Sequence, residues 1–409
     1  MKGQTNTSRK KFLGLAMLAL SLMVVGCQKD AKKTEDEKPL QLVQQEDKVF
    51  ALDSLTNYAR IFGTLIELDG KTNFVFDNEF QTRIYFYDYE TGNLDDIVEL
   101  YNEGPNGVPS RPIARLVHTK DSIFIHSIFK PDELYIVNRK GEVIYKNPTY
   151  DKKTEESSSL SASRDFYFDE ASYINGKEIH VGISNYKREK TKTNPLRVSF
   201  NLTTNESHTP FLEKSKLIPD YEAFEALSLS KRGKQIGTNV VRKGDYFYAS
   251  SSISDSIYEY KNGQYTTAYY AGNPNITLGD YKSYYESTSY EPFLVDGGGG
   301  VNVVENPDRP ASFGRLIIDF EKEWIYRFLI ENSEVKKVDG ADQPRVVITE
   351  SSIVAFNTNT KKSYTLKFPE EVDLNVNLHQ IFANNNGIHF PSSDQETESE
   401  KRYNVYKLQ

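Results

Sequence analysis

Arg83-Ile84-Tyr85-Phe86-Tyr87-Asp88-Tyr89-Glu90-Thr91-Gly92 runs from an aromatic and β-branched stretch into a tight polar turn. Such side chains suit a half-buried pleated surface, and Asp and Gly supply the left-handed backbone positions that tight hairpins need. The same order returns at Asn138-Arg139-Lys140-Gly141, Asn201-Leu202-Thr203-Thr204-Asn205, Lys261-Asn262-Gly263 and Asn357-Thr358-Asn359-Thr360. The starts of these turns lie 50, 63, 60 and 96 residues apart. A period of that size, filled by short strands, marks a repeated multi-strand unit. The chain holds 27 Tyr and 23 Phe against three Met. Helical periodicity is scarce, and Tyr221 to Leu229 is its best stretch.

Laid out as strands A to D, the units predict an all-β chain folded as a β-propeller. The fifth unit reads Arg315–Asp319, Trp324–Ile330, Ile353–Asn357 and Tyr364–Phe368. The last has three strands, Gln380–Ala383, Ile388–Pro391 and Tyr403–Leu408, and the missing outer strand is available as Lys48–Asp53. The expectation is six four-stranded blades closed by the N-terminal strand, which leaves no open sheet edge between the chain ends. A seven-bladed ring, with a blade hidden in 272–313, is the alternative, and a pair of β-sandwiches stands behind it.

The first thirty residues have a different character. Lys2, Arg9, Lys10 and Lys11 precede an apolar run from Phe12 to Val25, closed by Gly26-Cys27. A basic head, a short apolar stretch and a small residue make a secretory signal, too short to span a bilayer, which takes roughly 20 apolar residues. Residues 1–26 are therefore expected to be removed. Val24-Val25-Gly26-Cys27 resembles the lipobox of bacterial lipoproteins, in which the Cys thiol is acylated. Cys27 is the single cysteine of 409 residues, so it has no internal disulfide partner and joins no multi-thiolate metal site. Residues 27–45 are polar, of mixed charge and without apolar periodicity, and read as a lipidated Cys followed by a flexible tether. The remaining 46–409 form the propeller domain. The acidic stretch behind Cys27 also resembles the surface-export signal of Bacteroidetes-type lipoproteins. Losing four positive charges and no negative ones with the signal takes the formal charge from −8 to −12. That balance argues against nucleic acid and against an electrostatic grip on anionic lipid, and leaves the lipid as the membrane contact.

In this layout the A–B and C–D connections are short, whereas the B–C and D–A connections are long: 102–112, 148–165, 184–195, 213–235, 271–314, 331–351 and 392–402. Long loops that share one face are usually kept for binding. Candidate binding residues on that face are Glu103, Asn106 and Arg111, and Tyr281, Tyr284, Tyr285 and Tyr290 of the 271–291 loop. Tyrosine clusters stack on sugars or peptides, and more often pack a loop onto its domain. Glu103-Gly104-Pro105-Asn106-Gly107 resembles a loop motif of Bacteroidetes-type lipoproteins with a six-bladed propeller domain. Together with the lipobox and the blade rhythm, this resemblance implies an outer-membrane or surface lipoprotein, and it supplies no catalytic residues.

Other signals are weaker. Gly297-Gly298-Gly299-Gly300 lacks the Lys-Ser/Thr of a phosphate loop. His180 and His389 occupy equivalent places in their B strands, as a repeated packing site or as ligands of a metal; packing is the favoured expectation, and no metal or cofactor is assigned. Asp53-Ser54-Leu55, Asp121-Ser122-Ile123 and Asp255-Ser256-Ile257 resemble the O-glycosylation sequon of the same bacterial group, or are simply turns before strands. No serine-nucleophile elbow, calcium loop or paired acid and base is legible. The leading functional expectation is a membrane-anchored binding or scaffold lipoprotein holding a protein, peptide or glycan. The alternatives are a polysaccharide hydrolase or lyase with a central-channel site, and a structural part of an envelope complex.

Overall fold

The computed structural model describes residues 39–57, 61–78, 82–108, 112–127, 130–148, 160–161, 172–182, 184–185, 195–203, 207–213, 217, 237–276, 278, 293–296, 301–304, 310–336, 345–394 and 397–409. From Gln41 onward the chain is a β-propeller built of antiparallel sheets. Blade 1 comprises Thr64–Leu68, Lys71–Asn78, Arg83–Asp88 and Leu94–Glu99. Blade 2 comprises Pro112–Thr119, Ser122–Ser127, Lys130–Val137 and Val143–Pro148. Blade 3 comprises Tyr173–Asn175, Glu178–Gly182, Pro195–Asn201 and Ser207–Glu213. Blade 4 comprises Thr238–Lys243, Tyr246–Ser251, Ser256–Lys261 and Gln264–Tyr270. Blade 5 comprises Ser312–Ile318, Trp324–Lys336, Arg345–Asn357 and Ser363–Lys367. Within each blade the strands pair in chain order, A to D.

The expected count of six four-stranded blades is corrected to five. The sheet that unites the two chain ends has five strands and is called the closing sheet below. It contains Phe382–Asn384, Gly387–Pro391 and Glu400–Leu408, and the last of these pairs with both Leu42–Gln44 and Lys48–Ala51. Lys48 thus takes the place expected of it. Leu42–Gln44, read from sequence as tether, adds a second segment, with Leu42 opposite Leu408. Between blades 4 and 5, where a seventh blade was the alternative, the described residues hold one two-stranded sheet, Phe293–Asp296 with Val301–Val304. The 331–351 connection is also not a loop throughout. Strands B and C of blade 5 continue their pairing to Lys336 and Arg345. Bulges near Asn332 break the alternation that would have disclosed this extension from sequence. The helical candidate Tyr221–Leu229 lies outside the described residues.

The repeating turn has a repeated cause. Oδ1 of Asp88 accepts from Thr91 N, that of Asn138 from Lys140 N, that of Asn201 from Thr203 N and that of Asn357 from Asn359 N. An Asx side chain at the end of strand C therefore starts each of these turns by satisfying a backbone donor. In blades 1 and 2 the turn also docks on its neighbour. A Cβ at Gly92 would collide with the Val49 carbonyl of the closing sheet, and one at Gly141 with the Glu99 carbonyl of blade 1. Both glycines have positive φ, +72° and +76°, so close approach and backbone shape each require glycine.

Between the blades the core is apolar, with buried arginines at three seams. Ile84, Phe86, Ile123 and Ile125 meet between blades 1 and 2, and Phe50, Phe74, Phe382 and Tyr403 between the closing sheet and blade 1. Arg115 of blade 2 pairs with Asp77 of blade 1 and donates to the carbonyls of Phe62 and Val75. Arg327 of blade 5 is fully buried; it donates to Ala271 O at 2.7 Å and Ser254 O at 2.6 Å, at the far side of the blade 4 seam. Its guanidinium carbon lies 3.6 Å from the Phe313 ring centroid. Arg315 reaches the Leu378 and Ile381 carbonyls beside the closing sheet.

Two expected outcomes follow from these seams. Arg327→Leu removes the donors from three carbonyls, those of Ala271, Ser254 and Ser251, and is expected to cost about 3 kcal/mol, read by urea denaturation. Burial pushes His389 down to about 3 and His379 down to about 4, so the unfolded chain binds protons that the folded chain refuses. Stability therefore falls as pH drops below about 6.5, by at most roughly 1.4 kcal/mol per pH unit per group. Asp319, pushed up to about 6 by burial, opposes this between about pH 4 and 6. In His389→Gln the loss of stability between pH 7 and 5 should be smaller than in the wild type; an unchanged slope would contradict the assignment.

Candidate functional site

The two histidines singled out from sequence do the same thing in two sheets. His389 stands opposite Phe382 and stacks on it, with centroids 4.3 Å apart. His180 stands opposite Tyr173 and stacks on it at 4.2 Å, with the rings 1° from parallel. His389 is completed by Tyr89, whose hydroxyl lies 2.8 Å from Nε2, while Nδ1 contacts the Gly387 carbonyl at 3.0 Å. It is a packed core residue. His180 instead forms part of a pocket wall.

That pocket, about 520 Å³, lies at the seam of blades 3 and 4. Its lining includes Tyr173, Asn175 and His180 from blade 3, and Arg242, Asp245, Phe247, Asn262 and Gln264 from blade 4. Gly244 and Asp245 belong to an A–B turn and Asn262 and Gly263 to a C–D turn. The pocket therefore opens among the short turns, away from the long-loop connections where binding was expected.

Register places its parts. Tyr173 faces His180 across strands A and B of blade 3, and Arg242 faces Phe247 across strands A and B of blade 4. The Arg242 guanidinium carbon sits 3.5 Å from the Tyr173 centroid. Because His180 is equally close to that ring, imidazole and guanidinium must cover its opposite faces, giving a His180–Tyr173–Arg242 sandwich. Glu178, two residues before His180 and on the same face of its strand, places Oε2 3.5 Å from His180 Nε2. Arg197, almost fully buried, lies behind, 6.0 Å from the Phe247 ring. Burial, with Arg197 and Arg242 adding to it, holds His180 below its ordinary pKa against the pull of Glu178, so the imidazole is neutral at pH 7. Burial likewise raises the Tyr173 hydroxyl and keeps it protonated. Aromatic walls, amides and a cation suit binding.

The residues proposed from sequence do not gather in this pocket. Glu103 lies exposed in its loop. Asn106 turns inward, and its Oδ1 accepts from Val143 N at 3.2 Å, joining the blade 1 exit loop to strand D of blade 2. Cys27, Arg111, Tyr281, Tyr284, Tyr285 and Tyr290 lie outside the described residues. Asp53 Oδ1 accepts from Leu55 N, so this sequon-like triplet is an Asx turn, and Ser256 follows a bend into its strand. Among the described residues no group of three or more His, Cys, Asp or Glu could hold a metal ion. Nor is any helix there long and apolar enough to cross a membrane.

A family described as Domain of unknown function (DUF4221) matches residues 39–362. The chain belongs to this family. A crystal structure of a DUF4221 member from Bacteroides vulgatus matches 91% of this chain and 99% of its own length, at 16% identity and a TM-score of 0.62. A Bacteroides fragilis protein, provisionally named as exported, matches 90% of this chain and 95% of its own, at 10% identity and a TM-score of 0.52. The β-propeller domain of a Myceliophteria thermophila protein also matches, over 87% of this chain and 98% of its own, at 6% identity and a TM-score of 0.37. No curated protein matches the chain. The expected membership of a β-propeller family thus holds, with five blades in place of the six that the resemblance implied.

No sequence motif announced the pocket, because its residues span Tyr173 to Gln264 and meet only across a blade seam. The one available signal was the B-strand place shared by His180 and His389. Asn106→Ala should cost about 1 kcal/mol in denaturant titration by leaving the Val143 amide without its acceptor. Ligand binding at the blade 3–4 seam should be unchanged in that variant.

Proposed function

We propose that this DUF4221 protein is an exported lipoprotein, held to the outer membrane by lipid on Cys27, whose propeller binds a glycan. The observation that carries the binding role is the blade 3–4 pocket. Its volume is that of a small-ligand site. The side-chain amides of Asn175, Asn262 and Gln264 each offer donors and an acceptor, the pattern that pairs with vicinal hydroxyls. The edges of the Tyr173–His180 stack, with Phe247 buried behind them, supply the apolar wall that a sugar ring's C–H face needs.

Export is supported by the basic head, the apolar run and Gly26-Cys27. The Bacteroides fragilis relative provisionally named as exported accords with it. In this reading residues 1–26 are removed, and Cys27 carries the lipid. The lipid makes the membrane contact, since the net charge of −12 left without Lys2, Arg9, Lys10 and Lys11 gives the surface no attraction to anionic lipid.

Cys27→Ser is the test of the anchor. Wild-type protein should carry acyl mass and sediment with outer membranes, while the variant should lack the mass and appear in the soluble fraction. An unacylated, soluble wild type would remove the anchor from the proposal. Protease shaving of whole cells then assigns the face: degradation places the propeller at the cell surface, protection places it in the periplasm.

A further inference from the structure

Arg242 is the polar group in this pocket whose chemistry is incomplete. Among the described residues its guanidinium makes no hydrogen bond and no ion pair. Nε is shielded from solvent without an acceptor, and the Nη groups are not. A half-buried guanidinium with no carboxylate partner is costly, and here burial works against its charge. It is nevertheless held in a fixed place. The Tyr173 ring lies 3.5 Å beneath it, and His180 backs that ring in turn. Stacking orients the planar fork in advance, so little rotamer freedom is left to lose when an acceptor arrives.

We infer that the blade 3–4 pocket selects a hydroxylated carboxylate, the chemistry of a uronic acid, with Arg242 gripping the carboxylate and the rim amides taking the hydroxyls. This rests on the pocket being the glycan site proposed above and names the class of glycan. A planar carboxylate matches the guanidinium fork with two parallel hydrogen bonds. Charge decides against a phosphate dianion. Arg242 and the buried Arg197 stand against Glu178 beside His180 and Asp245 on the rim, while His180 itself is neutral. Such a balance favours a single added negative charge and penalises a second one placed near Asp245. Asn262 and Gln264 make no side-chain hydrogen bond with the described residues, so their amides are available to hydroxyls next to the carboxylate.

Calorimetric titration of the mature chain tests this with galacturonate, glucuronate, galactose, glucose and inorganic phosphate as probes. A uronate should bind, with the matching neutral sugar at least about tenfold weaker, because the analogue without the carboxylate leaves the guanidinium unpaired. Arg242→Lys should lose about tenfold for the uronate by giving up the bidentate fork. Arg242→Gln should bind acid and neutral sugar alike. Thermal melting of both variants controls for folding, and Asp245→Asn gives an independent arm that leaves Arg242 intact: it should tighten uronate binding. Neutral sugar bound as tightly as uronate by the wild type would overturn carboxylate selection and leave the glycan pocket standing. Phosphate bound more tightly than uronate would overturn it as well. Uronate binding that Tyr173→Ala leaves unchanged would remove both the selection and the pocket. Tighter binding of an oligouronate than of the monomer assigns a polymeric source, and equal binding assigns the free acid; either supports the selection.

Discussion

Arginine reaching from one blade to the backbone carbonyls of the next is the interaction on which the ring depends. A propeller blade can satisfy its own N–H and C=O groups only along its ladders, and carbonyls such as those of Phe62, Ser254, Ala271 and Ile381 are left at the seams. A guanidinium has five donors on a long stem and can collect several of these at once. Arg115 and Arg327 do so with the preceding blade, and Arg315 does so with the segment that leads into the closing sheet. The cost of burying each charge is offset by carbonyl dipoles and, at Arg115, by Asp77. Apolar packing alone would allow neighbouring blades to slide; directional bonds fix their angular register. At the seam of blades 3 and 4 the guanidinium of Arg242 finds a tyrosine face and no acceptor. The same residue type that pins three other seams leaves that one open.

What could be read from the chain divides along the same line. Strands and turns are local, and their signals are local too. Asp88, Asn138, Asn201 and Asn357 betray the C–D turns because an Asx side chain satisfies a backbone donor two or three residues on, and nothing distant has to be known. Seam residues carry no such mark. Arg327, in the middle of strand B, looks like a solvent-facing position within an alternating strand, although it is buried. Only the neighbouring blade makes it a core residue. The pocket was invisible for the same reason, since Tyr173 and Arg242 are brought together by ring closure. Blade 5 misled in the opposite direction, because Glu331-Asn332-Ser333-Glu334 has loop composition and still pairs as strand, on the strength of backbone bonds and a bulge.

The two stacked histidines show how one local device acquires two uses. A B-strand imidazole lying on the strand A aromatic opposite is a good flat filler for a seam. In the closing sheet Tyr89 of the neighbouring blade completes the packing. In blade 3 the neighbour presents a guanidinium, and the filler becomes a wall. A change at the facing residue of the next blade, with no change in the blade itself, separates a core from a cavity.

Glu400–Leu408 is bonded on one side to its own hairpin partner and on the other to Leu42–Gln44 and Lys48–Ala51. The consequence concerns time and force. The strand that shuts the ring is synthesised after every blade, so the seams to either side of the closing sheet must wait for it with their aromatic faces uncovered. Once closed, the ring has Leu42–Gln44 and Lys48–Ala51 clasped by Glu400–Leu408. Tension applied to the chain ahead of Gln41 would reach the propeller first at the two backbone bonds that Gln41 and Gln409 exchange, at the end of this ladder.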